Sequence, residues 1–421
     1  MESDHLRKLK NTAKLVVQLG WGGEKGVQNK PVVVSRAPSN HALSVEIVRE
    51  AYRLGARNHL VVPLVPELTA LHLNAHRDNP EARNEIPKPY SDAWNLLVEP
   101  HGCTVRVEAA DNPLALKECD QTHVSEFEVA NYNARKHFYE KGLFGKTLPW
   151  TLVPRATQGW AEMVFPGDVD ALERLQSALD TIMEVAHDDC VERWTARAEK
   201  MEKRGALLDE IGIRELRFRG PDTDLTVGLS ALARFSSALK ITSEGVRHMA
   251  NIPTYENYST PDWRLTRGHV SMTRPVLLSG SLVRGLRIWF NDQGEVERFE
   301  AKEGAKAFEA LISQKGANRL GEVALVGIDD SKIFQSGLVF QNTLLDENAS
   351  CHIAFGQAYP SQLEGGTSMS AEEKAAVGCN TSDKHEDMMI SNEESTVTAV
   401  DQHGEEVLII EKGRWAGRFA A

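Results

Sequence analysis

Apolar positions recur at helical spacing through residues 4–19, which predicts an amphipathic opening helix. The run Pro31-Val32-Val33-Val34-Ser35 then reads as a short buried strand. Asn40 stands where it could cap a second helix, which Leu54-Gly55 closes. Asn58-His59-Leu60-Val61-Val62-Pro63 is the next strand and Thr104-Val105-Arg106-Val107 another. Strand, helix and strand at this spacing predict a parallel α/β layer. Residues 78–89 are polar and contain proline, and read as loop.

A second region is expected from Trp150-Thr151-Leu152-Val153-Pro154 onward. Residues 168–186 and 188–205 carry helical patterns, and Asp188-Asp189 would place acid at the second N-terminus, where the helix dipole favours it. From Arg214 the period shortens to two: Leu216 and Phe218, then Leu225, Val227 and Leu229, alternate with polar residues. Residues 270–290 and 296–300 continue as sheet with Gly and Ser-Gly turns. Residues 305–314 read as helix, 323–326 as a buried strand, and 396–411 as a hairpin around His403-Gly404. No internal repeat or low-complexity segment interrupts the chain.

Length and composition narrow the class. The chain has 421 residues, enough for two or three domains, and is 41% hydrophobic and 26% charged, as ordinary globular proteins are. A net charge of −12 and the lack of a basic stripe argue against nucleic acid as a partner. No apolar run is long enough for a membrane span, and the N-terminus lacks a signal-peptide pattern. The five cysteines are scattered with no Cys-x-x-Cys pair, so the expectation is a reduced, cytoplasmic protein.

Chemistry concentrates in the last third, in Asp346-Glu347-Asn348-Ala349-Ser350-Cys351-His352 and in Asn380-Thr381-Ser382-Asp383-Lys384-His385-Glu386-Asp387. His with carboxylates and no Cys pairs is the ligand set of a hydrolytic Zn, Co or Mn site, or of an open Fe(II) site. His385 and Asp387 would share a face on a strand; an exposed polar strand start would show the same pair. Glu347 and His352, five apart, do not share a helical face and converge only if a loop or helix start intervenes. Read alone, His352 fits an interior hydrogen-bonded histidine better than a ligand, and Tyr359 fits a core aromatic. Glu256 lies in a polar segment, and Glu322 opens the apolar run Val323 to Val326, where an acid is usually a solvated cap. Gly20-Trp21-Gly22-Gly23-Glu24-Lys25-Gly26 precedes a strand instead of following one, which disfavours a phosphate loop. There is no Gly-x-Ser-x-Gly and no His-Glu-x-x-His.

Several segments together resemble the M29 family of metallo-aminopeptidases, the group of thermophilic aminopeptidase T and staphylococcal aminopeptidase S. They are Ala250-Asn251-Ile252-Pro253-Thr254-x-Glu256, Pro261-Asp262-Trp263, Leu320-Gly321-Glu322-Val323-Ala324-Leu325-Val326, and the run from Asn342 through Asp346-Glu347-Asn348-Ala349 to Cys351-His352-Ile353-Ala354. Gly365-Gly366-Thr367, Asn380-x-Ser382 and His385-x-Asp387 complete the set. The likeness is strongest over residues 245–392. It implies metal ligands at Glu256, Glu322, Glu347, His352, His385 and Asp387, and a catalytic tyrosine at Tyr359. Tyr255 departs from the pattern, since relatives tend to carry a second glutamate there.

The resemblance further implies an α/β N-terminal domain over residues 1–165 and a larger α+β C-terminal domain over 166–421 that carries the metal site. Two divalent ions (Zn, Co or Mn) would activate a water against the N-terminal bond of a peptide or aminoacyl amide. Glu256 or Glu322 would pass the proton to the leaving amine, and Tyr359 would donate to the oxyanion. A homodimer is implied as well. Three other readings remain open at this point. His352, His385 and Asp387 would also make the facial triad of an Fe(II) ring-cleaving dioxygenase. The chain could be a specialised small-amide hydrolase, or a non-catalytic scaffold.

Overall fold

The protein is described here from a computed structural model that covers residues 3–278 and 281–420. Two compact units are formed, one from residues 1–196 with 239–253, the other from 197–238 with 254–421. The sequence boundary near residue 165 falls inside the first of these.

The first unit is built on four parallel strands, β1 (Pro31–Arg36), β2 (Asn58–Pro63), β3 (Cys103–Glu108) and β4 (Trp150–Pro154), in the order β2-β1-β3-β4. The valines of β1 are buried on both faces, as a strand inside a parallel layer requires. Trp150–Pro154 was expected to open the second region. It instead pairs in parallel with β3 and closes the first sheet. The opening helix Asp4–Lys14 starts at Ser3, whose hydroxyl accepts from the Leu6 N–H. It runs on through a wider turn at Leu15–Gly20.

Asn40 does precede helix His41–Arg53, but its side chain makes no cap bond. The chain enters through a tight turn, Pro38–Asn40, that leaves Asn40 at φ −87°, ψ 23° instead of the extended conformation a capping side chain uses. Residues 78–89 are not all loop. Pro80–Arg83 and Lys88–Asn95 are helical, because their prolines occupy the first turn, where the missing N–H is harmless. The glycine-rich run after Gly20 is no phosphate cradle. A Cβ at Gly26 would lie 1.6 Å from the Trp21 carbonyl, so the glycine serves a close helical turn. A short hairpin, β7 (Leu239–Ile241) with β8 (Arg247–Met249), also belongs to this unit.

The second unit contains a sheet of eight antiparallel strands. In chain order these are β5 (Ile213–Gly220), β6 (Thr223–Gly228), β10 (Arg267–Ser271), β13 (Arg287–Phe290), β14 (Val296–Glu300), β18 (Thr396–Asp401), β19 (Glu406–Glu411) and β20 (Arg414–Trp415). Their spatial order is β14-β13-β10-β6-β5-β18-β19-β20. The expected tail hairpin is β18 with β19. A second antiparallel sheet, β17-β16-β15-β9, consists of β9 (Asn257–Ser259), β15 (Leu320–Leu325), β16 (His352–Gly356) and β17 (His385–Met389). A small hairpin, β11 (Val276–Leu278) with β12 (Ser281–Val283), completes the strands.

One apolar core joins the two larger sheets of this unit. Leu216, Phe218, Leu225, Val227 and Ile288 meet Val323, Leu325, Ile353, Phe355 and Met388, with Phe308 of helix Ala305–Ile312 among them. Phe355 stacks on Phe290 at 6.0 Å and meets the edge of Phe308 at 5.7 Å. Burying each such side chain contributes roughly 1.5–3 kcal/mol, so this face of β15, β16 and β17 is anchored. Their other face is free for chemistry.

Candidate metal centre

Alternation along the second sheet sorts its residues. Val323, Leu325, Ile353, Phe355 and Met388 point into the core, so Glu322, Ala324, His352, Ala354, His385 and Asp387 share the opposite face. Ala354 is the register partner of both Glu322 and Asp387, and Ala324 is the partner of His352. These small residues leave room between the polar side chains.

Glu322 reaches this face through an irregularity. Leu320 lies in the core, and strict alternation would send Glu322 after it. The register shifts between Leu320 and Glu322, at Gly321, and turns Glu322 over. A Cβ at Gly321 would sit 2.4 Å from the carbonyls of Gly356 and Gln357, so the bulge needs glycine. The expectation that Glu322 opens the strand as a solvated cap is therefore corrected. It lies inside β15 and is buried, because the bulge aims it at the imidazoles.

The structure brings the expected donors together. Glu256 Oε2 lies 3.2 Å from His352 Nε2, and Glu322 Oε1 lies 3.7 Å from the same nitrogen. Glu322 Oε2 lies 3.3 Å from His385 Nε2, and Asp387 Oδ1 is 3.9 Å from His352 Nε2 and 3.6 Å from His385 Nε2. Two groups of donors result, Glu256 with Glu322 and His352, and Glu322 with His385 and Asp387, each within 4.8 Å. Glu322 belongs to both. Glu347 lies outside these groups, on the short turn Glu347–Ala349 after helix Thr343–Asp346, where the charges of Asp387 and Glu256 act on its carboxyl. The turn Glu347–Ala349 and the extended Ser350 separate Glu347 from His352 at the start of β16, which is how residues five apart converge.

Tyr359 is not on a helix with His352; it follows β16 in a loop. Its hydroxyl is 3.3 Å from His385 Nε2. Glu256, Glu322, His352 and Asp387 are at most 8% exposed, whereas Glu347, Tyr359 and His385 are half-buried and form the open side.

The electrostatics follow from burial. Burial, with Asp387 and Glu256 nearby, holds the Glu347 carboxyl well above the usual carboxylate range. Burial likewise raises Glu256, against the pull of His352. It opposes charge on His352, but hydrogen bonds to Glu256 and Glu322 outweigh it and hold the ring protonated well above the ordinary range. His385 is raised against burial by Asp387 and Glu322. Asp387 is lowered against burial by His385 and His352. Burial and the carboxylates of Glu322 and Asp387 push the Tyr359 hydroxyl well up, so it remains a donor. Both imidazoles set Nδ1 against a backbone carbonyl, His385 on Gln357 at 2.7 Å and His352 on Ser350 at 3.3 Å. Nδ1 therefore carries a hydrogen, and Nε2 is the atom that faces the carboxylates.

Two further residues touch this centre without having been singled out. Asn348 hydrogen-bonds to Glu347, and Tyr258 of β9 meets the ring of Tyr359 edge-on at 5.7 Å. Tyr258 alternates with Glu256 at i+2, a signal readable only once a strand is assigned there. Asn348 gave no signal beyond adjacency to Glu347.

Carboxylates and imidazoles on one buried face, backed by an apolar core, define a site of the metallohydrolase class. The family model for thermophilic metalloprotease (M29) matches residues 5–415, and the chain belongs to that family, whose members use divalent metal. Aminopeptidase T of Thermus aquaticus is 34% identical, with 98% of each chain covered. Aminopeptidase PepS of Streptococcus thermophilus is 32% identical, with 97% of each covered. The solved structure of wild-type AmpT from Thermus thermophilus superposes with a TM-score of 0.88 at 31% identity, covering 98% of this chain and 99% of that one. The dioxygenase reading draws no support from these matches.

Proposed function

We propose that this chain is an aminopeptidase that removes N-terminal residues from peptides with two divalent ions. The ligands are Glu256, Glu322, Glu347, His352, His385 and Asp387. The observation that carries this reading is Glu322, whose two oxygens face two different imidazoles, the arrangement of a bridging carboxylate. Charge supports it too. Four buried or half-buried carboxylates are neutralised by two divalent ions with both imidazoles neutral, whereas one ion leaves buried charge uncompensated. Zn, Co and Mn all accept such N/O donors. All seven site residues lie in the unit of 197–238 and 254–421, which makes that unit the catalytic domain of the proposal.

Bound there, the ions would polarise the scissile carbonyl and lower the pKa of a water. The residues supply the rest. Tyr359 Oη, kept protonated, donates to the oxyanion from the open side. Glu322 is engaged at both oxygens, whereas Glu256 meets an imidazole through Oε2, so Glu256 is the better proton carrier to the leaving amine. Five free, buried cysteines support a reduced, cytoplasmic setting. Leu68 and Leu71 stand exposed one turn apart on helix Pro66–Ala75, an apolar surface consistent with the homodimer that the family likeness implies.

The test is amine release from aminoacyl p-nitroanilides and dipeptides after chelation and readdition of Zn, Co or Mn. Activity restored by metal and abolished by acetylating the substrate amine is expected. A folded, metal-loaded protein that hydrolyses none of them would reject the reading.

A further inference from the structure

Outside the donors themselves, one buried side chain ties together two of the segments that carry them. Asn348 is fully buried. Its Oδ1 accepts from the Tyr255 N–H at 2.7 Å and from the Thr254 hydroxyl at 3.2 Å. Its Nδ2 donates to the Leu344 carbonyl at 3.1 Å and to Glu347 Oε1 at 3.3 Å. Both lone pairs and both hydrogens of the amide are thus engaged. The partners also fix which end is oxygen. A backbone N–H only donates and a carbonyl only accepts, so a flipped amide would oppose like groups on both sides. The Ser331 hydroxyl donates to the Asn348 carbonyl at 2.7 Å and pins the main chain at the same point.

We propose that Asn348 is a positioning residue of the metal centre, its single amide setting the Glu256 and Glu347 carboxylates relative to one another. The proposal rests on the two-metal aminopeptidase reading. Glu256 follows Tyr255 directly, so the bond to the Tyr255 N–H fixes the peptide from which the Glu256 side chain springs. The bond to Glu347 Oε1 holds that carboxylate by one oxygen and leaves the other for an ion. Asparagine is the residue type this needs. Aspartate would set a further negative charge against Glu347 and an acceptor against the Leu344 carbonyl. Alanine would leave the Tyr255 N–H and the Glu347 oxygen buried without this partner.

Three variants test it, Asn348→Asp, Asn348→Ala and the milder Thr254→Val. Each is measured for Co(II) and Zn(II) affinity by competition with a chromophoric chelator, for the ligand-field spectrum of the Co(II) form, and for thermal midpoint. Both Asn348 variants are expected to bind metal roughly 10–100-fold more weakly, with an altered Co(II) spectrum. Thr254→Val removes one bond on the acceptor side and is expected to shift affinity in the same direction by less. It carries the test if the Asn348 variants do not fold. A purely packing role would lower the midpoint while leaving affinity and spectrum as in the parent, and that result overturns the proposal. Absence of metal binding by the parent protein would instead overturn the reading beneath it, and is seen before any variant is made.

Discussion

Each imidazole of the centre is set by a backbone carbonyl behind it, so its tautomer is decided by main chain. Tyr359 is placed by a side chain instead; its hydroxyl faces His385 and stays protonated. Tyr359→Phe is therefore expected to lower kcat by about 10²–10³-fold with metal content unchanged, and full activity in that variant would remove the tyrosine from the mechanism. Of these residues the sequence showed types and spacing. Roles for them came only from the family likeness, because spacing does not show depth. His352 read as an ordinary interior histidine, and only three carboxylates within 3.9 Å distinguish it from one. A histidine with the opposite fate lies on β8. Burial, with Lys240 opposite it in the hairpin, pushes His248 down from 6.5 to about 4. The unfolded chain takes up this proton first. Stability fully present above pH 6.5 is then lost as pH falls toward 4, by up to about 3 kcal/mol. Urea midpoints of the parent and of His248→Leu should hold a constant offset above that window, and the parent should fall relative to the variant below it. Parallel curves across pH 4–7 would show that His248 contributes no such dependence.

Among the elements, the sheet β17-β16-β15-β9 does most to create the candidate site, since one face is core and the other carries the polar side chains. The pair His385 and Asp387 was legible in advance because period two is unambiguous on a regular strand. Glu322 was not, because a bulge at Gly321 breaks the alternation from which its direction would be inferred. Trp150–Pro154 was misplaced for a related reason: an apolar run names a strand but not its partner, and its pairing with β3 is non-local. The two faces make a paired prediction. Ala354→Leu adds bulk between Glu322 and Asp387 and should weaken metal binding at least tenfold, at a stability cost of about 1–3 kcal/mol. Ile353→Val, one residue away on the core face, should cost about 0.5–1.5 kcal/mol and leave affinity alone. Equal loss of metal in both variants would mean that the sheet transmits any perturbation, and that its faces are not functionally distinct.

Across the whole molecule, chemistry is unevenly placed. The parallel sheet of the first unit contributes none of the seven proposed site residues, and the antiparallel unit contributes all of them. The sequence forecast the α/β character of the early residues and the strand-rich character of the later ones, since both follow from local period. It did not show the return of residues 239–253 to the first unit, because no composition change marks it. The concentration of charge has a thermodynamic consequence. Without ions, the carboxylates around Glu322 are balanced by protons on His352 and His385, a poorer compensation than divalent charge. If metal binds the folded centre and not the unfolded chain, as proposed, ions at a hundred times Kd should stabilise by about 2.7 kcal/mol. For a unit of this size that is roughly 5–10 °C in Tm. The gain should also be local. In hydrogen exchange with and without Co(II), added protection is expected in β9, β15, β16 and β17, which carry or flank the donors. Protection spread equally over β1 to β4, or no gain in Tm at saturating metal, would show that the buried cluster is not where the ions bind.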